Sequence, residues 1–98
     1  MMYMPSINLE MTGRNIMDLR CKAGISVKDL QMFFGFSTPQ AIYKWQKGSS
    51  LPTVDNLIVL AKIFHTSIED ILILNEGQDV VFYGILYIYN FFWYNYDN

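Results

Sequence analysis

The chain is poor in the residues that metal and disulfide chemistry require: 98 residues contain one cysteine, Cys21, and one histidine, His65. One thiol cannot close an intrachain disulfide, and one thiol with one imidazole cannot supply the ligand set of a zinc site. No Ser-His-Asp pattern, phosphate loop or nucleotide fingerprint is present, so the sequence predicts neither an enzyme nor a cofactor. Cys21 follows Arg20 but reads as a structural, neutral thiol on the first helix. The start "MMYMPSINLE" shows neither the basic region nor the long apolar run of a secretory leader, and a cytoplasmic, reducing location is expected. Basic residues are also missing from the last third, since no lysine or arginine follows Lys62.

That last absence organises the electrostatics. The net charge is −2, yet all seven basic residues (Arg14, Arg20, Lys22, Lys28, Lys44, Lys47, Lys62) lie between positions 14 and 62. There they are opposed only by Asp18, Asp29 and Asp55, a local net of +4. Beyond residue 66, Glu69, Asp70, Glu76, Asp79 and Asp97 contribute −5. Local potential steers and holds an anionic ligand even where total charge does not, so the segment rather than the sum points to a polyanion partner.

The 52% hydrophobic content is ample for a core, although a chain this short buries only about 60–65% of its unfolded surface. Helix boundaries follow from capping residues. Helix 1 is expected to enter near Thr12, to carry Ile16, Leu19, Arg20 and Ala23, and to stop at Gly24. Helix 2 starts at "SVKD", with Ser26 and Asp29 as a capping box, carries Leu30 and Phe33, and stops at Gly35. Helix 3 starts at "STPQ", with Ser37 as the cap and Pro39 in the first turn, and ends at Gly48. Helix 4 follows "LPT" with Thr53 as its cap and Leu57, Leu60, Ala61 and Phe64 on one face. Helix 5 starts at "SIED" with Ser67 and Asp70, and presents Ile68, Ile71 and Leu72. Five short helices with short connections exclude βαβ architecture and predict an all-α bundle. The expected organisation is an N-terminal arm over 1–10, the helical domain over 11–74 and an apolar, aromatic-rich extension over 75–98 whose structure the sequence leaves open.

One segment carries most of the functional information. In "STPQAIYKWQKGSSLP" (37–52), positions 41, 42 and 45 share one face of a 3.6-residue helix, and Gln40, Tyr43, Lys44 and Lys47 share roughly the opposite one. The first face is built to bury and the second to touch something. Just before it, "FFGFST" ends one helix at Gly35, places Phe36 in the turn and restarts the chain at Ser37, which is helix-turn-helix geometry.

With "TGRNIMDLR", "GISVKDLQMFFGFSTPQAIYKWQKG" and "LPTVDNLIVLAKIF" in this order, residues 12–74 resemble the Cro and lambda-repressor family of DNA-binding domains, also called the xenobiotic-response-element type. The resemblance implies a five-helix lambda-repressor-like domain that binds double-stranded DNA with helix 3, about 38–46, in the major groove. Carried over by position, it assigns base contacts to Thr38, Gln40, Tyr43 and Lys44. Gln40 has the donor and acceptor pair that reads adenine, Lys44 reaches guanine or a phosphate, and Tyr43 offers a ring to a thymine methyl or a hydroxyl to a phosphate. Backbone contacts fall to Arg14, Lys28, Ser37, Lys47, Ser49, Ser50 and the helix 4 start at Thr53. Ala41, Ile42, Trp45, Leu30, Leu57, Leu60 and Phe64 belong to the core.

Three departures from the family pattern matter. Val27 stands where a glutamine often contacts the DNA backbone. Gln46 replaces the acid that commonly pairs with an arginine of helix 1, so Arg20 is expected to keep a hydrogen bond but lose an ion pair, or to be free for phosphate. His65 replaces the glycine that commonly ends helix 4 and predicts a strained or shifted helix end.

The expected function is that of a small sequence-specific transcriptional regulator, a repressor that occupies its operator. The alternative is a protein-interaction module, an antitoxin-like partner or tail-tethered adaptor, that keeps the fold without productive DNA binding. Val27 and the acidic, aromatic C-terminus favour that alternative, and Lys44, Lys47 and the helix 4 cap oppose it. Residues 80–94, "VVFYGILYIYNFFWY", carry no charge, and nine aromatics lie between Phe82 and Tyr96. Homodimerisation through helix 5 and this extension, or an added core layer formed as the extension folds back onto the helical domain, is the favoured reading of the tail, ahead of a poorly specified, aggregation-prone extension. Membrane association is less favoured, since the run falls short of the ~20 residues of a spanning helix and its acidic flanks oppose anionic lipid.

Overall fold

The structure, a computed structural model, describes residues 6–75. Its elements are β1 (Ser6–Ile7), α1 (Leu9–Lys22), α2 (Val27–Phe34), α3 (Gln40–Lys47), α4 (Val54–Ile63), α5 (Ile68–Ile71) and β2 (Leu74–Asn75), with β1 and β2 forming a two-stranded sheet. The expected five-helix, all-α domain is therefore present. Residues Ile7–Ile73 form one compact unit, and Ser6, Leu74 and Asn75 fall to a second, within which Asn75 donates to Ser6 Oγ at 2.9 Å. The aromatic run 80–94, with the dimer and membrane roles expected of it, lies outside the described residues.

Capping explains where most helices begin. At α2 the Ser26 hydroxyl accepts from the Asp29 amide at 3.0 Å, and the Asp29 carboxylate accepts from the Ser26 amide at 2.9 Å. The backbone bond from Ser26, followed by the one from its hydroxyl, favours the ionised carboxylate and holds Asp29 below the usual carboxylate range. Thr53 caps α4 by accepting from the Asn56 amide, and Ser67 caps α5 by accepting from the Asp70 amide. The Asp70 carboxylate accepts from the Thr66 hydroxyl, so the box expected at α5 forms on one side only.

Two helix starts differ from expectation. α1 begins at Leu9, three residues ahead of Thr12, because Asn8 Oδ1 accepts from the Met11 amide at 2.9 Å. Thr12 is a buried helical residue whose hydroxyl accepts from the Ile73 amide at 2.9 Å, 61 positions away. α3 begins at Gln40 with Pro39 in the cap position, where the Pro39 carbonyl accepts from the Tyr43 amide at 3.1 Å. Ser37 therefore stands two residues before the cap, out of register with the free amides, and no side chain caps this helix.

Gly24, Gly35 and Gly48 end the first three helices with φ of 70°, 68° and 77°. After α4 the left-handed position is held by His65 at φ 54°, the strained end predicted from its side chain. A non-glycine residue costs about 1 kcal/mol there. His65→Gly is expected to raise the free energy of unfolding by roughly that amount in chemical denaturation, with the helical content unchanged.

The core joins Ile16 of α1, Leu30 of α2, Ile42 and Trp45 of α3, Leu57, Leu60 and Ala61 of α4, Phe64 and Ile71. The core assignments to Leu30, Ile42, Trp45, Leu57, Leu60 and Phe64 hold, and Ala41 packs against the cluster half-buried. Phe33 is a correction: it is 64% exposed, and its neighbour Phe34 turns inward instead. α1 and α3 approach unusually closely at Gly13. A Cβ there would stand 2.4 Å from the Trp45 carbonyl oxygen and 2.6 Å from that of Gln46.

Candidate nucleic-acid interface

The outer face of α3 is set by what fixes its inner face. Ile42 and Trp45 are buried, and Trp45 meets Phe34 and Phe36 edge-on at centroid distances of 5.5 and 5.9 Å. Phe34 and Phe36 stack on each other at 5.2 Å across the α2–α3 turn. Gln31 closes that turn twice, its carbonyl accepting from the Phe36 amide and its side chain donating to the Phe36 carbonyl. Trp45 thus ties α3 to Phe34 of α2 and to Phe36 of the turn, while Gln31 fixes the turn itself, and the opposite face of α3 stays free.

That face carries Gln40, Tyr43, Lys44 and Lys47, all exposed, and Ser37 and Thr38 are exposed just ahead of it. The two turns of α3 therefore present amide, phenol and ammonium groups side by side, with an N-terminus that no side chain caps. Among the described residues neither Lys44 nor Lys47 has an ion-pair partner.

The flanking positions are less uniform. Ser49 is exposed and Ser50 half-buried, and both backbone amides donate to the Lys44 carbonyl, at 2.9 and 3.4 Å. Thr53 is exposed and its hydroxyl is engaged in capping α4, whose first turn also carries Asp55, a charge that repels phosphate. Lys28 is exposed in the first turn of α2, where a cation opposes the helix dipole. Arg14 is exposed but held by Glu10 at 2.8 Å, and Glu10 lies against Gly48 at the end of α3. The pair neutralises an acid beside the basic face.

Arg20 resolves one of the departures read from the sequence. Its Nε donates to Gln46 Oε1 at 2.9 Å and its Nη1 to the Ile25 carbonyl at 2.9 Å, so it tethers α1 to α3 and to the loop before α2. Val27 is half-buried and packs on the core. Sequence reasoning missed the residues that brace this arrangement from behind: Gly13, Thr12, and Asn15, whose amide donates to the carbonyls of Asp70 and Ile71 at 2.8 and 2.9 Å. A glycine in mid-helix, which costs about 1 kcal/mol against alanine, was the one available signal.

No group of three or more His, Cys, Asp or Glu among the described residues could hold a metal ion. No described helix is long and apolar enough to cross a membrane.

Two short helices joined by a turn at Gly35, with one buried and one polar, basic face on the second, define a helix-turn-helix domain. The helix-turn-helix family model of the Cro and C1 type matches residues 16–71, more than half of the chain, and the chain belongs to that family. It is a family of DNA-binding regulatory domains, which implies double-stranded DNA as the partner. No curated protein and no solved structure matches the chain.

Proposed function

We propose that the chain is a sequence-specific DNA-binding transcriptional regulator that places α3 in the major groove. The observation that carries this is the exposed row Gln40, Tyr43, Lys44 and Lys47 on a helix whose opposite face is locked by Ile42 and Trp45, within a segment of net +4. Thr38, Gln40, Tyr43 and Lys44 make the base contacts. Gln40 reads adenine through its amide, Lys44 reads guanine or a phosphate, and Tyr43 meets a thymine methyl or a phosphate.

Lys47 and Lys28 supply charge to the backbone, with Ser37, Ser49 and Ser50 offering hydroxyls. Thr53 ranks below these because Asp55 shares its turn, and Arg14 ranks last because Glu10 already holds it. Occupying an operator is the simplest way such a module regulates, which makes repression the proposed sign. A DNA partner and the exposed free thiol of Cys21 fit a reducing cytoplasm.

One observation favours a second reading, a protein-interaction module: Met32 and Phe33 of α2 are 72% and 64% exposed, and large apolar side chains gain nothing from phosphates. Selection from random-sequence duplexes separates the two. The DNA reading expects one sequence to be enriched by the full chain over successive rounds. A pool that stays random, with the protein folded, would leave the interaction module as the better account.

A further inference from the structure

A surface helix normally sets an apolar face inward against a polar one outward, and α4 does not. Leu57, Leu60 and Ala61 are buried, while Val54, Ile58 and Val59 are exposed at 69%, 43% and 38%. The outward stripe is Asp55, Ile58, Val59 and Lys62, at spacings of three, four and seven, so the four side chains lie within about 100° of the helix circumference. Two β-branched residues form its centre, with an acid one turn before them and a base one turn after. Among the described residues neither Asp55 nor Lys62 has an ion-pair partner.

This order of charges is self-complementary. If a second α4 is laid antiparallel across the stripe, with the twofold axis between positions 58 and 59, Asp55 of each copy falls opposite Lys62 of the other. Ile58 then meets Ile58, and Val59 meets Val59. A parallel arrangement would instead set Asp55 against Asp55 and Lys62 against Lys62. We infer that the outer face of α4 is a docking surface for a second copy of this chain, paired antiparallel by a twofold axis.

α5 is the poorer surface for a second copy. It has four residues, Ile71 is fully buried, and Ile68 and Leu72 beside it are already half-buried against the core. A two-turn stripe is small against the ~1,200–2,000 Å² of stable complexes, so the pairing is a weak, concentration-dependent equilibrium. It does not depend on DNA, and its test contains none, which keeps its failure separate from failure of the DNA reading.

The test is sedimentation equilibrium of the full chain at low salt, comparing the unaltered protein with Asp55→Lys, Lys62→Asp and the double exchange Asp55→Lys/Lys62→Asp. Circular dichroism checks that each variant is folded. Either single reversal sets like charges opposite each other at two symmetric places and is expected to weaken dimerisation about tenfold. The double exchange restores both pairs and should return the dissociation constant to within about threefold of the original. A local effect on α4 would persist in the double exchange, so restoration reports the pairing itself. A chain that stays monomeric throughout, a dimer indifferent to the single reversals, or a double exchange no better than either single one would overturn the proposal.

Discussion

Gly13→Ala should remove at least 3 kcal/mol of stability, lowering the midpoint of thermal unfolding by more than about 12 °C at the 4–8 °C per kcal/mol typical of small domains. On an isolated helix the same change would stabilise by about 1 kcal/mol, because alanine is the better helix former. Packing reverses the sign. The added Cβ would stand 2.4 and 2.6 Å from the carbonyl oxygens of Trp45 and Gln46, and backbone atoms cannot rotate aside as a side-chain end can. α1 must then move off α3, breaking the Arg20–Gln46 bond and opening the core beside Trp45.

Gly24→Ala is the control. It adds a Cβ in open space at φ 70°, and should cost only the ~1 kcal/mol of an alanine in the left-handed region. Thermal melts of the two variants decide the matter, since equal losses would mean that α1 and α3 do not touch at Gly13.

The second large effect concerns binding with stability left alone. Gln40→Ala/Lys44→Ala truncates two exposed side chains that make no hydrogen bond within the described domain, and surface changes of this kind usually stay within about 0.5 kcal/mol in stability. Each base contact is worth about 1–3 kcal/mol, so loss of both should weaken binding to the selected duplex by about 30-fold or more. Binding to unrelated duplex should fall far less, by the share of the one lost ammonium. Fluorescence anisotropy on both duplexes measures the split. A uniform loss on the two would assign Lys44 to phosphate and remove Gln40 from the reading surface.

Much of this was legible because it is local. Ser26 with Asp29, Thr53 and Ser67 lie within three residues of the amides they satisfy, and Gly24, Gly35 and Gly48 mark the ends they make. The two faces of α3 follow from its period alone, and the helix-turn-helix resemblance carried by that segment agrees with the family match over residues 16–71.

The misses have physical reasons too. "STPQ" has the spacing of a capping box, but Pro39 takes the cap position itself and shifts the register by two. In "MFFGF" two adjacent phenylalanines compete for one inward position, and composition cannot say that Phe34 rather than Phe33 reaches Trp45. Asn8 falls within the expected arm, although an asparagine followed by an acid in the first turn is itself a helix-start signal. Thr12, Gly13 and Asn15 act on residues 32 to 61 positions away, and no local pattern reports such contacts.

In the proposed function α3 reads DNA while nearby lysines hold its backbone. The most direct test is the salt dependence of binding by the full chain to the selected duplex and to an unrelated one, with and without Gln40→Ala. Lys28, Lys44 and Lys47 predict parallel log–log slopes of about −3 on both duplexes, with the selected duplex bound more tightly at every salt concentration. Gln40→Ala should narrow the gap between the lines and leave their slopes unchanged. Binding indifferent to salt, or a gap that Gln40→Ala leaves unchanged, would contradict it.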